Sequence, residues 1–98
     1  MKIDFMSDAT EIISDLKNTD DYLGAEKVVS TKIKRHLQKG IPIPVIENHL
    51  ALLFKYFQDQ ITITGNYTEC IKYVYVISFL ETVLHSRYWH SWINAGKV

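Results

Sequence analysis

Apolar residues return at intervals of three and four along four stretches of this chain, and each stretch predicts a helix. The first extends from about Ser7 to Lys17, with Phe5, Ala9, Ile12, Ile13 and Leu16 on one side. Asp8 and Glu11 fall in its opening turn, where the helix dipole favours negative charge. A polar break, NTDD, follows, and Asp20 or Asp21 can cap the second helix. That helix extends to Lys39 along the stripe Tyr22, Ala25, Val29, Ile33 and Leu37, with Gly40 as its left-handed stop. Gly24 should weaken its first turn. The third starts near Pro44, a residue suited to a first helical position because it has no amide hydrogen to satisfy. Its core line is Ile46, Leu50, Leu53 and Phe57, widened by Val45, Leu52, Phe54 and Tyr56. ITITGN alternates like a strand but has no second strand to pair with, so it reads as a loop, with Thr64 or Asn66 near the next cap. The fourth and longest helix covers about Tyr67 to Asn94. Its line is Tyr73, Ile77, Leu80, Leu84 and Tyr88, broadened by Val76, Phe79 and Val83. Because its first half is apolar nearly all round, it should be the most buried element. Short connections make consecutive helices antiparallel neighbours, so the expected fold is an all-α antiparallel four-helix bundle occupying residues 1–98 as one domain.

The stretch KGIPIPVIENHL, Lys39 to Leu50, admits two readings: the turn of a DNA-reading helix-turn-helix, or a bundle corner. A recognition helix offers polar side chains from its first turns to base edges. Here the helix after Gly40 opens Pro44-Val45-Ile46, and its exposed side carries Glu47, Asn48 and Asp59. The corner is the better reading.

Charge sharpens the question, because the chain is neutral overall but segregated. Residues 1–26 hold seven acids against Lys2 and Lys17, whereas residues 27–39 hold Lys27, Lys32, Lys34, Arg35 and Lys39 with no acid. A basic patch at Lys27, Lys34 and Arg35 could meet a partner. The bases also complement a helix C-terminus, and the acidic first helix can pack beside them. No aromatics interleave with the bases, which argues against a stacking surface for nucleic acid.

Composition closes off several classes. With 47% hydrophobic and 22% charged residues the chain can bury a core rather than remain disordered. The single cysteine, Cys70, excludes an internal disulfide framework and fits a reducing compartment. The N-terminal residues carry acids where a signal peptide would have its apolar core. No segment has the roughly 20 apolar residues of a membrane span. The expectation is a cytoplasmic protein. Peripheral membrane contact and homodimer formation both stay open.

No catalytic constellation stands out. His36, His49, His85 and His90 show no pairing at i, i+4, and Cys70 has no neighbouring thiol. His49 lies on an apolar face and reads as a satisfied core histidine rather than a metal ligand. No catalytic, cofactor-binding or metal-binding residue is assigned, and a non-enzymatic role is expected. The unusual feature is the terminus HSRYWHSWINAG, where Tyr88, Trp89, Trp92 and Ile93 cannot share one core line. Either these rings close the bundle or some form an anchor. The candidate partner-binding set is Arg87, Trp89, His90 and Trp92, since Trp, Tyr and Arg dominate binding hot spots.

The proline-started third helix PVIENHLALLFKYF, followed by ITITGNYTE, resembles the small immunity proteins that protect bacteria from pediocin-like (class IIa) bacteriocins. The similarity covers about Lys39 to Leu80. Many members of that family are more basic, and their C-terminal ends are less aromatic. The resemblance implies an antiparallel four-helix bundle without enzymatic activity, acting at the inner membrane face on a bacteriocin–receptor complex. Two alternatives remain: a small DNA-binding regulator using the basic second helix and the Gly40–Pro44 turn, and a subunit of a larger helical assembly.

Overall fold

The structure, a computed structural model, describes residues 3–86. Four helices account for most of them: α1 Phe5–Leu16, α2 Tyr22–Gln38, α3 Ile43–Thr64 and α4 Tyr67–Ser86. They form a compact antiparallel all-α bundle, and no strand occurs among the described residues. α4 packs most extensively on α3 and next on α2, while α1 lies across α2 and α3.

Local chemistry sets each boundary. The Asp4 carboxylate accepts the Ser7 amide hydrogen at 3.0 Å, so α1 begins two residues earlier than its apolar pattern suggests. Asp21, rather than Asp20, caps α2 by accepting from the Gly24 amide at 2.8 Å. At the other end of α2, Gly40 has φ +77°; its N–H donates to the Leu37 carbonyl, and the Ile41 N–H reaches back to His36. That pair of bonds is a Schellman stop, and Ile41 turns into the core behind it. The Pro42 carbonyl then accepts the amides of both Val45 and Ile46, starting α3 at Ile43 with Pro44 in the second helical position. The stretch from Lys39 to Pro44 is a bundle corner.

Three expectations are corrected. The segment 61–64 is not a loop but the last turn of α3, which stops at Gly65 with φ +62°. Ile61 sits four residues after Phe57, prolongs the core line and packs against the core, so tertiary burial overrides the weak helix propensity of β-branched residues. On α4 the core line is rotated from the expected one: Tyr73, Val76, Phe79, Leu80 and Val83 are buried, whereas Ile77 and Leu84 are only half-buried. An element apolar all round does not reveal by periodicity which side faces its neighbours. Leu52, expected to widen the core of α3, is 56% exposed. The core centres on Ile12, Leu16, Ile33, Ile46, Leu50, Leu53, Phe57, Phe79 and Leu80.

Candidate functional site

Four polar residues lie within these apolar stripes: Asp8, Lys32, His36 and His49 are all buried. A buried charge is stable only when paired and hydrogen-bonded, and each of these finds its partner on another helix. Asp8, in the first turn of α1, places Oδ2 between two rings. His49 Nε2 from α3 lies 2.7 Å away and His36 Nε2 from α2 lies 3.1 Å away. An ionised carboxylate can only accept, so both imidazoles donate to it from Nε2. The rings meet edge to face at 5.4 Å between centroids, and Phe5 packs its edge against His49.

Burial would push the Asp8 carboxyl up. The hydrogen bonds from His49 and His36, with the charge these rings carry when protonated, outweigh burial and hold the carboxyl below its ordinary value. His36 Nδ1 is buried and has no hydrogen-bond partner. His36 and Asp8 also line a cavity of about 250 Å³ that continues past Ile3, Asp4, Ser7, Glu11, Arg35, Lys39 and Ile41. One donor atom from each of Asp8, His36 and His49 lies within 4.8 Å of the other two.

A second polar layer sits one turn along. Lys32, only 5% exposed, binds Glu11 at 3.0 Å and Asp15 at 3.5 Å, and Arg35 approaches Glu11 at 3.6 Å. The hydrogen bond from Lys32, then its charge, holds the Glu11 carboxyl below its ordinary value. Beyond it, Lys72 of α4 donates to the Leu16 carbonyl at 2.9 Å, placing a cation at the C-terminus of α1.

Of the residues singled out from sequence, Arg87, Trp89, His90 and Trp92 lie outside the described residues. Within the basic patch, Arg35 is turned toward Glu11, while the exposed Lys27 contributes a carbonyl that accepts from Ser30 and Thr31. The acids of α1 thus answer part of the basic run, as the charge segregation suggested. His49 is a satisfied core histidine, and the geometry also joins it to His36 and Asp8. Sequence reasoning assigned Asp8 to the helix dipole and missed the cluster. A signal existed: Asp8 lies four residues before Ile12, His36 three after Ile33 and His49 three after Ile46, all on core faces.

No family model matches the sequence, and no curated protein or solved structure matches it either.

Proposed function

We propose that this protein is a non-enzymatic helical interaction module, and that the resemblance carried by PVIENHLALLFKYF and ITITGNYTE identifies its role as immunity to a pediocin-like bacteriocin. The supporting observation is the seating of α3, the helix that carries most of the resemblance. Ile46, Leu50, Leu53 and Phe57 are all at most 1% exposed, in an antiparallel four-helix bundle of the kind the resemblance implies. A protein partner would meet apolar side chains left in solvent around the α3–α4 turn and along both helices: Ile63, Tyr67, Leu52 and Val74. Among the described residues no helix is long and apolar enough to cross a membrane, and a peripheral encounter with a receptor–toxin complex needs no such helix. The pairing of Arg35 with Glu11 and the corner at Gly40 favour this reading over DNA binding.

The test is protection. Bacteria sensitive to pediocin-like peptides, made to express this chain, should survive at least one member of a panel of such toxins. Unchanged sensitivity across the panel would refute the immunity role. A gel-shift titration at low salt addresses the DNA alternative: retardation that weakens steeply as salt rises would restore it.

A further inference from the structure

The geometry points to a divalent transition-metal site, for Zn²⁺ in the first instance, formed by Asp8, His36 and His49. Two imidazole nitrogens and one carboxylate oxygen suit borderline first-row ions, and Zn²⁺ commonly takes three such protein ligands with a fourth position left open. The three side chains come from α1, α2 and α3, so their convergence is produced by the packed bundle rather than by a flexible loop. Their donors already lie within 4.8 Å of one another, and both Nε2 atoms approach the same Asp8 oxygen. In a tetrahedral zinc site, neighbouring donors stand about 3.3 Å apart. The 2.7 Å and 3.1 Å contacts would open to that spacing by a few tenths of an ångström, while the two ring nitrogens, within 4.8 Å of each other, would close to it by up to about 1.5 Å.

Two further observations separate this cluster from a closed hydrogen-bonded latch. His36 Nδ1 is buried without a partner, so the bond to Asp8 does not satisfy the whole ring, and Nδ1 can carry the ring proton when Nε2 coordinates. The adjoining cavity, lined by Asp8 and His36, provides room for a water as fourth ligand and a path for the ion. On α2, Lys32 and Arg35 are engaged by Glu11 and, for Lys32, Asp15, while Asp8 bonds to the two rings. This property goes beyond the interaction role and does not depend on it.

Co²⁺, titrated into the chelator-treated full-length protein, is the direct probe. The expected result is a visible d–d band that saturates at one ion per chain and is abolished by Zn²⁺. His36→Gln and His49→Gln should each weaken binding by roughly 100-fold or more, while Cys70→Ser and His85→Gln leave it unchanged. Circular dichroism of every variant establishes that it folds. If either histidine variant does not, imidazole ¹⁵N spectra of the wild type carry the test: Zn²⁺ must move the His36 and His49 Nε2 resonances. The absence of a saturable band, binding that survives both histidine changes, or loss of binding in the Cys70 or His85 variant would each overturn the assignment. So would unmoved His36 and His49 resonances.

Discussion

Asp8 illustrates how much one polar atom can decide. Its Oδ2 accepts from two rings on two helices, so removing its charge should loosen three elements together. Asp8→Asn keeps the shape and an accepting oxygen but removes the charge that strengthens both bonds. In metal-free protein at pH 7 it should lose roughly 1.5–3 kcal/mol, the worth of hydrogen bonds to a charged group. The carboxyl is held below its ordinary value of 3.8 in the folded state. Its contribution is therefore fully present above about pH 4 and fades as pH falls through the depressed value. Urea unfolding of wild type and variant at several pH values should show their difference shrinking in acid; a pH-independent gap would contradict an ionised Asp8. Gly24 makes a different residue-scale point. Alanine normally favours a helix by up to about 1 kcal/mol over glycine. A Cβ there, however, would stand 2.5 Å from Thr19 Cγ2, on a buried and rotationally stiff side chain. Gly24→Ala should accordingly lower stability by about 1–2 kcal/mol, and adding Thr19→Ser, which removes that methyl, should recover most of it. Equal losses in both backgrounds would exclude the clash as the cause.

Among the elements, α3 teaches most. Its first four core positions were legible because Ile46, Leu50, Leu53 and Phe57 repeat cleanly at helical spacing. Its last turn was hidden because Ile61 and Ile63 alternate as in a strand. Periodicity cannot tell a strand from the end of a helix over four residues, and only the packing of Ile61 against the core decides it. The two isoleucines should then differ sharply. Ile61→Ala should cost about 1–2 kcal/mol, below the range for a fully buried isoleucine because Ile61 is half-buried. Ile63, 72% exposed, should tolerate alanine within about 0.5 kcal/mol. Thermal melts of the two variants settle the comparison; similar midpoints would return 61–64 to a loop.

At the scale of the whole molecule, α1 is the shortest of the four described helices and adds a set of polar ties to the burial of Ala9, Ile12 and Leu16. Asp8 ties it to α2 and α3, Lys32 holds Glu11 and Asp15, and Lys72 caps Leu16. By contrast α3 and α4 share the largest apolar interface, through residues such as Phe57 and Tyr73. Polar contacts weaken with acid, whereas burial of Phe57 and Phe79 does not, so the two halves should separate in stability. Native-state hydrogen exchange should find the α1 amides opening first, and more readily in Asp8→Asn, while α3 keeps its protection. Uniform exchange across all four helices would mean that α1 is part of the same cooperative unit.

By itself the sequence determined four helices, the stops of the first two, and the side on which three of them are apolar. Those features are local: spacing every three or four residues, an aspartate before a helix, a glycine able to adopt positive φ. It also marked acidic α1 and basic α2 as complementary. Only tertiary structure decided the rotation of α4, the fate of Ile61 and the meeting of Asp8, His36 and His49. Asp8 and His49 stand 41 positions apart, and no local periodicity reports that two distant stripes will face each other at one height in the bundle. Their partnership exists because burial strips water from each of them, and the packed helices leave another polar side chain as the replacement.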